Sequence, residues 1–71
     1  MNTDILKGKW SQLKGDVRSK WGKLTDDDMV EIQGNAEKLI GRLLERYGHT
    51  HEQAERELND FLESKGRRRT A

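Results

Sequence analysis

The chain contains no cysteine and no proline. Without cysteine there are no disulfide staples and no thiolate metal ligands. Without proline, glycine and threonine are left to punctuate the chain, which fits helices joined by very short turns. No apolar run approaches the roughly 18 residues of a membrane span, and no signal-peptide pattern opens the sequence. Apolar residues are scarce, at 31% of 71 residues, against about 45–50% in ordinary globular domains. Charge of one sign is lacking too: 14 Lys and Arg face 13 Asp and Glu, for a net +1. The strong net charge that accompanies disorder is therefore absent. The length allows one small domain, with few side chains to wall a deep pocket. These limits point to a soluble, cytoplasmic helical domain and away from an enzyme.

What is present is a repeat. Laid over itself with an offset of 26, the chain aligns Gly8 with Gly34, Leu13 with Leu39, Gly15 with Gly41, Trp21 with Tyr47 and Gly22 with Gly48. Thr25 and Thr50 follow, with one residue fewer in the second unit. The pattern reads as an internal duplication of a helical hairpin.

In the first unit Trp10, Leu13, Val17 and Trp21 stack on one helical face. Gly22 is expected as the residue of positive φ that ends the helix. Thr25 then caps the next helix, with Asp26, Asp27 and Asp28 meeting its positive end. Met29 and Ile32, with Val30 beside them, supply its apolar contacts. In the second unit Leu39, Leu43 and Tyr47 form the stripe, and Ala36, Ile40 and Leu44 widen it. So broad an apolar face predicts the central helix. Gly48 ends it, and Thr50 with Gln53 forms a capping box for a last helix carrying Ala54, Leu58, Phe61 and Leu62. The expected fold is all-α, four short helices packed as two hairpins over residues 1–63. Met1 to Lys7 is expected as a frayed lead-in, and residues 64–71 as a basic disordered tail. Gly15 and Gly41 fall inside helices, where glycine costs about 1 kcal/mol relative to alanine. Close approach by a neighbouring helix is the expected reason; inheritance from a duplicated ancestor is the competing one.

Catalytic and metal chemistry find little support. His49 and His51 flank a helix start and do not share a face as paired ligands do. The Asp26–Asp28 run lacks the ligand spacing of a calcium loop, and capping accounts for it. Ser11, Ser19 and Ser64 have no nearby histidine to activate them. No catalytic residue, metal or cofactor is expected.

Charge is unevenly placed. Residues 1–24 carry six basic and two acidic side chains, residues 25–63 four basic and eleven acidic, and the tail adds Lys65, Arg67, Arg68 and Arg69. The expected consequence is complementarity between basic and acidic helices inside the fold. The alternative is a nucleic-acid-binding module whose contacts are Lys7, Lys9, Lys14, Arg18, Lys65, Arg67, Arg68 and Arg69. A core this small also makes a homodimer an expectation.

Three segments carry a family likeness: Gly8-Lys9-Trp10-Ser11-Gln12-Leu13-Lys14-Gly15, Trp21-Gly22-Lys23-Leu24-Thr25-Asp26-Asp27-Asp28, and Glu45-Arg46-Tyr47-Gly48. Together they resemble the CsbD-like family of small bacterial proteins, over about Asn2 to Leu62. Phe61 stands where relatives often carry Trp, and the Lys-Gly-Arg-Arg-Arg ending lies outside the pattern. The resemblance implies two packed helical hairpins similar to SAM-like domains, and an association with the general stress response. It implies no defined activity and no site residues. The expected function is a non-enzymatic, stress-associated binding or protective role.

Overall fold

A computed structural model describes residues 3–67, and every regular element among them is helical. The helices are α1 (Thr3–Gly8), α2 (Trp10–Lys20), α3 (Asp26–Ile32), α4 (Ala36–Tyr47) and α5 (His51–Arg67). Among the described residues there are thus five helices where four were expected. The addition is α1, in the segment expected to fray. Its Leu6 is fully buried, and Ile5 packs at the edge of the core. Six residues are too few to display a helical period, so this anchor left no pattern to read.

Local chemistry sets most of the boundaries. The Thr25 hydroxyl accepts the Asp28 N–H at 3.1 Å while the Asp28 carboxylate accepts the Thr25 N–H at 3.0 Å. Thr50 and Gln53 repeat this reciprocal box at the start of α5, at 3.1 and 3.0 Å. Asn35 caps α4 by accepting the Lys38 N–H at 3.1 Å. Each box satisfies donors that a helix start would otherwise leave unpaired. Gly48 closes α4 in the left-handed region, with φ 70° and its N–H donating to Leu44 O. Gly22 does not repeat this role. The cap of α2 is Trp21, at φ −115°, and Leu24 N–H donates back to Trp21 O at 3.1 Å. That turn reverses the chain without positive φ, so Gly22 is not needed for it.

Some positions aligned by the offset of 26 occupy matching places, and others do not. Leu13 and Leu39, and likewise Val17 and Leu43, are buried, whereas Gly15 and Gly41 are exposed. Helix α4 is the hub, packing against α1, α3 and α5, while α1 also meets α2. Its four buried residues Ala36, Leu39, Ile40 and Leu43 explain that position. Around them gather Leu6, Trp21, Leu24, Ile32, Leu58 and Phe61. Met29 and Ile32 turn inward as expected from α3, but Val30 is 64% exposed.

The mid-helix glycines correct another expectation. A Cβ at Gly15 or Gly41 would meet nothing within 4 Å, so no helix approaches either. The close approach is instead at Gly34, where φ is +84° and a Cβ would lie 2.9 Å from Lys7 Cα and 3.2 Å from Trp10 Cβ. Gln33, also left-handed at φ 42°, precedes it. The α3–α4 turn is thereby pressed onto the α1–α2 junction, at a place only glycine fits. Helix α5 continues past residue 63 to Arg67.

Candidate functional site

Three side-chain groupings stand out from the helical frame. The first is centred on Asp28, the one buried charged residue among those described. Its carboxylate accepts Arg46 Nε–H at 2.8 Å and Arg46 Nη2–H at 3.0 Å, and Arg42 Nε lies 3.6 Å away. The two-pronged bond from Arg46 lowers the Asp28 pKa from 3.8 to about 2, against the opposing effect of burial, and the Thr25 cap assists. Arg46 is in turn held more firmly protonated by the carboxylate. Arg42 also reaches Glu31 and Glu45. Capping therefore explains only part of the Asp28 role, because this residue also ties α3 to α4.

The second grouping lies where the Trp21 corner meets the Tyr47 corner. Trp21 Nε1–H donates to Glu57 Oε1 at 2.9 Å, and His49 Nε2 lies 3.2 Å from Glu57 Oε2. The His49 ring stacks on Tyr47, centroids 5.3 Å apart and 13° between planes. Lys23 N–H donates to Tyr47 Oη at 3.1 Å, and its ammonium sits 5.1 Å from the ring centroid. Trp21 also packs against Phe61 at 5.3 Å. Neither grouping was legible beforehand. Partners such as Asp28 and Arg46 are 18 residues apart, outside any helical period. The one hint was the offset itself, which aligns Trp21 with Tyr47 and Lys23 with His49.

The third is the set of basic residues expected to contact nucleic acid. Lys7, Lys9 and Lys14 are exposed. Lys9 also begins α2 without a side-chain cap, and the first turn of that helix holds no acid. Arg18 pairs with Asp26. Lys65 pairs with Asp16 at 3.2 Å and lies over the Phe61 ring. Only the backbone of Arg67 is described, and Arg68 and Arg69 lie outside the described residues. The structure thus leaves three of these cations solvated and engages two with acidic neighbours, one of them across α2 and α3.

The described depressions are open to solvent, and charged or polar side chains make up most of their lining residues. The groove between α2 and α5 is lined by Asp16, Ser19, Lys20, Asp60, Phe61, Ser64 and Lys65. Ser19 and Ser64 have carboxylates and ammonium groups around them but no imidazole among the groove residues. Among the described residues no cluster of three His, Asp or Glu side chains is placed to hold a metal ion. No described helix is long and apolar enough to cross a membrane.

The model of the CsbD-like family matches residues 4–56. A UPF0337 protein of Pseudomonas aeruginosa is 54% identical over 61 residues, covering 86% of this chain and 94% of the relative. One from Bordetella pertussis is 52% identical over 63 residues, covering 89% and 96%. The UPF0337 protein YjbJ of Escherichia coli is 51% identical over 61 residues, covering 86% and 88%.

Proposed function

The chain belongs to the CsbD-like family, and from that membership we propose that it is a non-enzymatic, stress-associated protein with a protective role in the cytoplasm. The observation that carries this reading is the described surface. Val30 is its one exposed large hydrophobic residue, and the mean hydropathy of the chain is −1.11. A surface without an apolar patch resists self-association as water is withdrawn. Its dense, mixed charges and amides offer hydrogen bonds to a neighbour that is losing its hydration shell. Reaction chemistry has no comparable support, since nucleophile, base and enclosing walls do not converge in any described groove. The test is to dry a labile enzyme with a molar excess of this protein or with an equal mass of an inert protein. Greater recovery with this protein is expected, and equal losses overturn the reading.

A second reading, nucleic-acid binding, is favoured by one observation. Lys7, Lys9 and Lys14 are exposed beside an uncapped helix start that carries no acid. Such a surface suits phosphate, which positions a partner without reading its sequence. Gel shift with mixed-sequence DNA and RNA at low salt tests it, and absence of any shift removes it.

A further inference from the structure

We propose, on the nucleic-acid reading of Lys7, Lys9 and Lys14, that the face around Trp10 binds single strands. The Trp10 ring stacks on a base while the three lysines hold phosphates. Trp10 differs from every other aromatic side chain among the described residues. Trp21 packs against Phe61 and lies beneath Lys20, Phe61 lies beneath Lys65, and Tyr47 carries the His49 ring and the Lys23 ammonium. Trp10 has neither a ring nor a cation against it among the described residues. Its polar edge is open as well. The Trp21 indole N–H is bonded to Glu57 at 2.9 Å, and that residue is 2% exposed. Trp10 is only half-buried against the core, and its indole N–H has no acceptor among the described residues. Since no buried side-chain nitrogen among them lacks a partner, this N–H faces solvent. The first helical place is held by Trp10 in α2 and by Ala36 in α4, so the repeat does not call for a large ring there.

The lysines are gathered around this ring. Lys7 Cα and Trp10 Cβ both press on the Gly34 turn, 2.9 and 3.2 Å from the place a Cβ would take there. Lys7 and Trp10 therefore share one spot of the surface, and the base of the ring is held in place before any partner arrives. Lys9 precedes Trp10, and Lys14 stands one turn further along α2, four residues on. All three lysines are exposed and make no ion pair with the described residues. Asp4 and Glu37 share a shallow depression with Lys7 on the α4 side. Their charges turn phosphates away from that side and toward Lys9 and Lys14. Stacking requires only a π-face, so it accepts any base, and the lysines position a backbone without reading its sequence. A duplex keeps its bases stacked on one another and presents only phosphates to such a surface. The combination of an open aromatic face with unpaired cations thus favours the single strand.

The test adds an oligothymidine, or its duplex with oligodeoxyadenosine, to the full chain at low salt. The two indole N–H resonances are followed by NMR, with Trp10→Phe identifying which is which. The Trp10 signal should shift as the single strand is added, and the Trp21 signal should stay in place. The single strand should bind roughly five-fold or more tightly than the duplex. Trp10→Leu keeps an apolar side chain but loses the π-face, and should weaken single-strand binding by about 5- to 100-fold. An unmoved Trp21 signal in that variant shows that it is folded; if it is not, the parent's signals and its preference between the two forms decide. A Trp10 signal indifferent to bound single strand overturns the proposal, as does equal affinity for the two forms. So does a folded Trp10→Leu that binds the single strand as the parent does. Any of these three leaves phosphate binding by the lysines standing. Absence of binding to either form overturns the proposal together with the nucleic-acid reading.

Discussion

Asp28 shows how one side chain can serve two elements. It completes the capping box of α3 and holds Arg46 of α4 in a two-pronged bond. Its pKa of about 2 lies below the ordinary 3.8, so the unfolded chain takes up the proton first as solution acidifies. The stability this carboxylate contributes is present in full above about pH 4 and is lost as pH falls toward 2. Arg46 remains 39% exposed, so water screens the pair. With that discount, Asp28→Asn should lower the unfolding free energy by about 1–2 kcal/mol at neutral pH. Urea titrations should show the gap between variant and parent closing near pH 2; a constant gap would place the loss in packing and not in charge. The glycines give a second contrast. Gly34→Ala forces a Cβ to 2.9 Å from backbone at a positive φ, and should cost about 1–3 kcal/mol. Gly15→Ala and Gly41→Ala add a Cβ in open space within helices, and should each stabilise by about 0.5–1 kcal/mol. Thermal melts of the three variants check the pattern, and a neutral Gly34→Ala would contradict the close approach.

At the scale of elements, the legible parts were those written in local chemistry. Thr25 and Thr50 announced two helix starts, Gly48 announced a stop, and the broad stripe from Ala36 to Tyr47 identified the hub. The illegible parts depended on tertiary context. Gly22 has the composition of a helix stop, yet the Leu24 to Trp21 hydrogen bond turns the chain without using positive φ. Gly15 and Gly34 could not be ranked, because only the folded neighbourhood tells which glycine is crowded. The Asp28–Arg46 pair and the Glu57 junction were hidden for the same reason. Helix α1 shows the limit best. A six-residue helix is not stable alone, so its order must come from Leu6 in the core and from the Gly34 turn pressed against Lys7. Leu6→Ala should therefore cost about 2–5 kcal/mol, as for a fully buried core leucine. Hydrogen exchange should show α1 amides losing protection before those of α4. Little change in either measurement would return this segment to the frayed lead-in that its length suggests.

On the whole molecule, a net charge of +1 conceals a division between a basic first third and an acidic middle. Contacts across that division are made by Arg18 to Asp26. Within the acidic middle, Arg42 and Arg46 neutralise Asp28, Glu31 and Glu45 in a small network. The pairs whose carboxylates are exposed, with Asp26, Glu31 and Glu45, contribute little stability one by one, but such pairs determine which cations remain available to a partner. Lys7, Lys9 and Lys14 make no ion pair with the described residues, whereas Arg18 and Lys65 are held by Asp26 and Asp16. If nucleic acid binds, each phosphate neutralised on duplex DNA should contribute about −0.9 to the slope of log affinity against log salt. The three lysines, with at most Arg67, Arg68 and Arg69, then give a slope between about −3 and −5, short of the roughly −7 that all eight cations would produce. Lys14→Gln should reduce the slope by about 1, and Arg18→Gln should leave it unchanged. Equal effects of the two substitutions would mean that Asp26 does not withhold Arg18 from phosphate. No binding at low salt would mean that the acidic middle governs the field around the molecule, which leaves the protective reading to account for its surface.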